Sequence, residues 1–491
     1  MRLTALVSIL TILLTTAQAR SADWPQFRGP NCTGISLDSA ALPTTFTDTE
    51  NVLWSANLGD GIGCPIVAAG RVFVPSMIDD EHVGLHAFDA KTGKPLWTRS
   101  WETPNLTPVH KTNSQCATTP AADESRVYFY FSTLGLVAVN AETGADEWHH
   151  ELPKPFFVFR WGPAMSPTLY KDKVIFLQDD DLNPSIVALD KATGKVLWQD
   201  DRSDQAVNYS HPVICSTDKG DELVVAGTGM LIGYDLETGN RNWFARVLLR
   251  NIKTTPAVDG DKIYISLQSG GIANQWLASA DRAETGNSDG KLSKDEMHAI
   301  VPTGKVPDAF FKKTFDRGDL NKDGFLEGEE LDKAFLHPDN FAGARFDAKE
   351  AADEYVLAVQ AGGSGDVTES HLLWKHPTKY TDHIVSPLVS NGRMLLIKGG
   401  GIRTAFETRR GKQIGRQARI QNSCEYFASP IVGDGKIYIA GENGVVVVLK
   451  DSDKYELLAK NDMGDAILAT PAIADGSIFI RTRSKLICVS N

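Results

Sequence analysis

Ser429-Pro430-Ile431-Val432-Gly433-Asp434-Gly435-Lys436-Ile437-Tyr438-Ile439 occurs in eight versions along this chain. Its proline returns at Pro65, Pro120, Pro167, Pro212, Pro256, Pro387 and Pro471. In seven versions an apolar strand starts seven residues later, at Val72, Val127, Val174, Ile263, Met394, Ile437 and Ile478. The exception runs from Pro212 to Leu223, with four extra residues expected in its turn. Proline has no N–H to give a ladder, so it belongs at a strand's first residue or on an unpaired edge. Asp434-Gly435, Asp475-Gly476 and Asn391-Gly392 suit the positive φ of tight hairpins, and runs such as Ile437-Tyr438-Ile439 suit a buried strand. Each version therefore reads as the inner hairpin of a propeller blade.

Successive prolines are 55, 47, 45, 44, 131, 43 and 41 residues apart. A period in the forties built from short strands and Gly/Asp turns indicates a propeller rather than a helical solenoid. The expected fold is all-β: an eight-bladed β-propeller with a small α-helical insertion in blade five. A lone early strand, Asn51 to Trp54, has its partners at the far end, in Ser484 to Val489. Joining them closes the ring and removes the open sheet edges. The expected organisation is a signal peptide over 1–19, an N-terminal segment over 20–50, blades over 51–272, an insertion over 273–350 and blades over 351–491.

Composition is ordinarily globular, with 42% apolar and 23% charged residues. A formal charge of -12 argues against nucleic acid or an anionic membrane surface as the main partner. Met1-Arg2, the apolar run to Thr16 and Ala17-Gln18-Ala19 read as a secretory signal peptide cleaved after Ala19, with Ala22 as a second site. The run falls short of the ~20 residues of a membrane span. The mature protein is thus expected in the periplasm or outside the cell, with no membrane span. Six cysteines, Cys32, Cys64, Cys116, Cys215, Cys424 and Cys488, are read as mostly structural thiols or one or two bridges, with pairing left open.

A second repeat marks the outer half of the blades: Ala87-Phe-Asp89-Ala-Lys-Thr92-Gly93-Lys94-Pro-Leu-Trp97 and Ala188 to Trp198, with looser copies over Ala138 to Trp148 and Gly233 to Trp243. The aspartate opens a turn, the glycine supplies positive φ and the tryptophan anchors neighbouring sheets. This pattern resembles the tryptophan-docking motif of quinoprotein alcohol dehydrogenase-like propellers, a superfamily that includes the BamB-like outer-membrane assembly scaffolds. The opening Asp23-Trp-Pro-Gln-Phe-Arg-Gly-Pro30 is similar to that of exported PQQ-like repeat proteins. The resemblance covers nearly all of the chain outside the insertion and implies an eight-bladed propeller. Family members active with the quinone cofactor PQQ place an adjacent Cys-Cys disulfide against it, and this chain has no adjacent cysteines, so PQQ is not expected. A scaffold or binding role is the first reading. A PQQ-dependent dehydrogenase or other envelope enzyme using the channel face is the alternative.

The 131-residue interval exceeds its neighbours by roughly 87 residues, placed between the second and third strands of blade five. Within it, Asp319 to Glu330 fits a twelve-residue EF-hand calcium loop. Asp319, Asn321 and Asp323 take ligand positions 1, 3 and 5, and Gly324 permits the turn. Phe325 offers its carbonyl, Glu327 binds directly or through water, and Glu330 supplies two oxygens. Phe311 and Phe315 before the loop, and Leu331 and Phe335 after it, mark flanking helices. Gly318 stands where an aromatic is usual. An earlier loop, Thr285 to Glu296, offers Asn287, Asp289, Lys291 through its carbonyl, and Glu296. Its position 1 is Thr285, which weakens it; Asp281 reaching in through a longer loop is an alternative. Calcium is the expected cofactor.

Strand parity puts the insertion on the face where the pre-proline segments converge. Those segments carry His110, Lys111, Asn113, Arg160, Trp161, Tyr209, His211, Arg250, Lys253, Asp382, His383, Asn422, Glu425 and Tyr426. Such a ring around a channel mouth suits a protein or polysaccharide ligand of the cell envelope. Asp382 beside His383 is an acid–base candidate. Asp179-Asp180-Asp181 is expected as a solvated turn with some cation-binding capacity.

Overall fold

The computed structural model describes residues 23–37, 40–106, 109–158, 161–205, 207–247, 252–269, 276–300, 307–335, 353–379 and 384–491. The leader, Arg160, Arg250, Asp382 and His383 lie outside them.

Eight antiparallel sheets form the blades. Blade 1 has strands Ile66–Ala68, Arg71–Met77, His82–Asp89 and Pro95–Glu102, in that order from the axis outward. Each inner strand starts just after a repeated proline, where a missing N–H costs no ladder bond. Asn391-Gly392, Asp434-Gly435 and Asp475-Gly476 all have two positive φ values, the twist-matched turn of a two-residue hairpin. The Pro212 hairpin differs from expectation: Thr217 pairs with Gly220, so the extra residues lengthen its strands and the turn stays tight.

The circle closes through Val52–Asn57, which pairs with Lys485–Ser490 as the outer strand of blade 8. The core lies between blades. Phe73 and Leu85 of blade 1 meet Val127 and Phe129 of blade 2, and Ile175 and Ile186 of blade 3 meet Leu223 and Val225 of blade 4. Fully burying one such side chain stabilises by about 1.5–3 kcal/mol, so the ring's stability is spread over many equivalent contacts.

The tryptophans fasten each blade to the next. The Trp97 indole donates to the Ala141 carbonyl, Trp148 to Lys191 and Trp198 to Leu236, each at 2.9–3.1 Å. Each ring lies on the glycine of that neighbouring turn; a Cβ at Gly194 would sit 2.6 Å from Trp148. Two further donors extend the pattern, Trp54 to Ala90 and Trp374 to Thr408. Trp243 departs from it and donates to Glu222 within its own blade. The reason is next door: blade 5 lacks the Thr-Gly turn, and its replacement puts Gly365–Asp366 parallel to the outer strand of blade 4.

A second seam runs around the axis. The residues before the repeated prolines are Cys64, Thr119, Ser166, His211, Thr255, Ser386, Ser429 and Thr470. The backbone N–H of one donates to the side chain of the next: Cys64 to Thr119, Thr119 to Ser166, His211 to Thr255, Thr255 to Ser386, Ser386 to Ser429, Ser429 to Thr470 and Thr470 to the Cys64 sulfur. The link from Ser166 to His211 is missing from this chain of bonds; the His211 ring instead meets the Thr168 hydroxyl at 2.9 Å.

The N-terminal segment follows the free edges of the inner strands. Trp24 bridges to Val67 of blade 1, and the Pro25 carbonyl accepts from Ala122 of blade 2. The Gln26 side chain accepts from Leu169 of blade 3, and Asn31 exchanges two bonds with Ile214 of blade 4. Arg28 donates to Pro387 beside blade 6, and Ile35 pairs with Val432 of blade 7. Groups that would otherwise form a row of bare sheet edges are thereby paired.

The insertion leaves blade 5 after Lys262–Ser269 and returns at Asp353–Gln360. It holds helices α1 (Lys294–Ile300), α2 (Asp308–Gly318) and α3 (Glu329–Ala334), and a short ladder of Leu292–Ser293 with Phe325–Leu326. Its own core joins Trp276, Phe310, Phe311, Phe315, Leu326, Leu331 and Phe335. It also reaches blade 3: Phe310 meets Phe156 at 5.8 Å, and Lys313 donates to the Leu182 carbonyl. The expected face is therefore the observed one, since Phe156 lies in a pre-proline segment. Among the described residues no helix is long and apolar enough to cross a membrane.

Candidate functional site

The axial seam surrounds a cavity of about 230 Å³, and all eight of its members line it. Phe27 of the N-terminal segment is part of the wall, as are Asn113, Trp161, Tyr209 and Lys253 from the pre-proline segments. The Lys253 ammonium lies 5.1 Å from the Trp161 ring, whose other neighbour is His110 at 4.3 Å. Asn113 donates to the Trp161 carbonyl, fixing that corner. The hydroxyls of Tyr209 and Ser210 are buried on this wall without a protein partner. Buried polar groups are rarely left unpaired, so the wall is suited to a ligand or water that hydrogen-bonds there.

His211 on the same wall is fully enclosed, next to Phe27 at 5.6 Å. Burial, aided by the Arg28 charge, pushes its pKa down to about 3, so the ring is neutral at ordinary pH. Of the predicted face residues that the structure describes, His110, Lys111, Asn422, Glu425 and Tyr426 are not on the cavity wall. Tyr426 donates to the Asn422 carbonyl and Asn422 pairs with Asn443, which ties that connection together.

The Asp179-Asp180-Asp181 turn corrects an expectation, for it is not solvated. Asp179 and Arg202 are both fully buried and paired through two bonds of 2.7 and 2.8 Å. Asp180 is also buried; it accepts from the amides of Phe156, Leu182 and Asn183, while burial raises its pKa to about 6. Asp181 accepts from Val158. These carboxylates hold the loop that carries Phe156, the insertion's landing point, and are spent on structure. The six cysteines are free thiols, five of them buried. Burial raises the pKa of Cys32 and Cys116 to about 12, which keeps them protonated and unreactive.

In the insertion, the six predicted positions run from Asp319, just after α2, to Glu330 in the first turn of α3. Asp319 accepts from the amides of Asp323 and Gly324 at 3.1 Å. Asn321 accepts from Asp323, and Asp323 from Phe325, each at 2.9 Å. Glu330, mostly buried, accepts from Leu320, Asn321 and Glu327. Among the described residues no three His, Cys, Asp or Glu side chains form a ready cage. What the loop offers is a mixed oxygen set, two aspartates, an asparagine, a backbone carbonyl and two glutamates, the donor chemistry that hard divalent cations take. Glu327 pairs with Lys291 of the earlier loop at 2.8 Å, and Leu326 sits opposite Leu292. Gly318 is explained by packing: a Cβ there would lie 2.3 Å from Ala334, so α2 and α3 meet too closely for the usual aromatic.

Three signals escaped sequence reading. The Ser/Thr before six of the eight prolines could have revealed the seam; Leu-Trp at Leu53-Trp54 and Leu373-Trp374 could have added two anchors. The stitching by residues 23–37 had no periodic signal.

Comparison with known proteins places these features in context. The profile of the family described as outer membrane protein assembly factor BamB matches residues 40–158 and 161–310. The outer membrane protein assembly factor BamB of Shewanella oneidensis is 22% identical over 261 residues, covering 50% of this chain and 62% of that protein. The Vibrio cholerae protein of the same name is 25% identical over 275 residues, covering 46% and 67%. A quinoprotein ethanol dehydrogenase of Pseudomonas aeruginosa is 31% identical over 131 residues, 24% of this chain and 20% of that enzyme. The chain thus spans less than two thirds of the Shewanella and Pseudomonas relatives. Among solved structures, BamB from Moraxella catarrhalis superposes with a TM-score of 0.52 at 13% identity, over 90% of this chain and 97% of that one, a likeness of fold.

Proposed function

Since the chain belongs to the family of outer membrane protein assembly factor BamB, we propose that it is a binding and scaffolding propeller of the cell envelope. Its ligand, a protein or polysaccharide, docks on the channel face, and an inserted EF-hand holds calcium beside it. One observation carries this reading. The insertion rooted in blade 5 lands on Phe156 of blade 3, beside a cavity whose wall presents the unpaired hydroxyls of Tyr209 and Ser210. A cation that stiffens the insertion would therefore act on the binding face. The EF-hand assignment rests on the Asp319 loop: Gly324 at φ 85°, the oxygen set above, and the Leu292–Leu326 pairing of its two loops. The leader sequence supports a periplasmic or extracellular location.

The test has two parts. Calcium titration of the full chain should show binding that Asp319→Ala and Glu330→Gln both abolish at this loop; an unchanged isotherm removes the EF-hand. Capture from native envelope should retain a partner in calcium and release it in chelator. Dye-linked alcohol oxidation on adding PQQ with calcium would instead establish the enzyme reading.

A further inference from the structure

The earlier loop of the insertion matches the Asp319 loop bond for bond, except at its start. Asp289 N–H donates to Asn287 and Lys291 N–H to Asp289, both at 2.9 Å, as Asp323 does to Asn321 and Phe325 to Asp323. Ser288 and Gly290 take φ of 57° and 83°, where Lys322 and Gly324 take 61° and 85°. Ser293 N–H donates to Glu296 as Glu327 N–H does to Glu330. In the Asp319 loop the glycine amide donates to the first aspartate, Gly324 to Asp319 at 3.1 Å. In the earlier loop the Gly290 amide donates to Asp281 at 3.2 Å, although the residue five before Gly290, the place Asp319 holds before Gly324, is Thr285.

The chain makes this substitution by looping out Arg282 to Thr285. Ser288 N–H donates to the Asp281 carbonyl at 2.9 Å, which pins the return. Gly286 lies so close that a Cβ would sit 2.1 Å from that carbonyl, so only glycine closes the detour. Two oxygens are left over. Asp281 is 1% exposed and Glu296 9% exposed, yet Asp281 Oδ1 and Glu296 Oε1 have no hydrogen-bond partner. Buried carboxylate oxygens left bare on one loop are costly without a cation.

We propose that Asp281, in place of Thr285, is the first ligand of a second divalent-cation site of calcium type, shared with Asn287, Asp289, the Lys291 carbonyl and Glu296. It rests on the EF-hand reading above. The detour removes nothing from the donor set: without residues 282–285 the loop would read Asp281-Gly286-Asn287-Ser288-Asp289-Gly290-Lys291-Leu292-Ser293-Lys294-Asp295-Glu296, twelve residues with a ligand type at every required position.

Titrating chelator-treated full-length protein with calcium chloride tests this. The wild type should bind two ions, Thr285→Ala two, Asp319→Ala one, and Asp281→Asn one fewer than wild type. Excision of Arg282 to Thr285 should keep two ions, which decides the matter if Asp281→Asn disturbs the whole insertion. A wild type that binds one ion, lost only in Asp319→Ala, overturns the Asp281 site and leaves the EF-hand reading standing. Unchanged stoichiometry in Asp281→Asn, or one ion after the excision, overturns it as well. No calcium bound by the wild type overturns both.

Discussion

The ring and its insertion solve the same problem with opposite means. The ring pairs its polar groups internally: seven axial links, five indole anchors between blades and an N-terminal segment that covers the inner edges. The insertion has one apolar cluster and two acidic loops, and in the earlier loop one oxygen each of Asp281 and Glu296 has no partner. The first arrangement is held together by its own bonds, although Tyr209 and Ser210 keep bare hydroxyls on the cavity wall. The second is the one that, on the proposal above, a cation would complete. The difference teaches that stability in this protein is distributed in one part and conditional in the other.

The largest effect should come from breaking the buried pair in blade 3. Asp179→Ala leaves the enclosed Arg202 charge without its partner and should cost about 3–5 kcal/mol in chemical denaturation. Replacing both by apolar residues should recover most of that loss; equal losses in single and double variants would contradict the account. Next comes Trp198→Ala, which empties a nearly buried seat and should cost about 3 kcal/mol in the same assay. If Trp243→Ala, which docks within its own blade, instead exposes the seam between blades 4 and 5 to proteolysis, the anchor assignment fails.

Acid should act on the ring through His211. Its folded pKa, near 3, lies below the unfolded value, so the unfolded chain binds the extra proton and stability is full above about pH 6.5. It falls as pH drops through that value, by about 1.4 kcal/mol per pH unit. Asp180 works the other way, its raised pKa favouring the fold at low pH between about 4 and 6. His211→Gln should flatten the decline between pH 6.5 and 5; an unchanged slope would show that His211 is not enclosed as described. The smallest effect is a single axial link. Thr470→Val removes the acceptor for the Ser429 amide and should cost about 1 kcal/mol, while insertion properties stay unchanged.

The ring was legible because its signals repeat. Pro65 through Pro471 set the blades, and Val52–Asn57 meeting Lys485–Ser490 followed from closure alone. Asp179 and Asp180 misled because three consecutive acids look solvated, and only tertiary structure supplies Arg202 and the amides that enclose these two. Trp243 misled because blade 5, where its motif partner would lie, lacks the Thr-Gly turn. The Asp319 loop stands out by its local spacing. Asp281 entered only as an alternative, since a four-residue detour breaks the count while the Gly290 amide still bonds to it.

Hydrogen exchange of the full chain, with calcium and with chelator, tests this contrast most directly. The account predicts that calcium slows exchange in residues 276–335 and leaves the inner strands of all eight blades unchanged. Protection spread evenly around the ring, or none in the insertion, would contradict it.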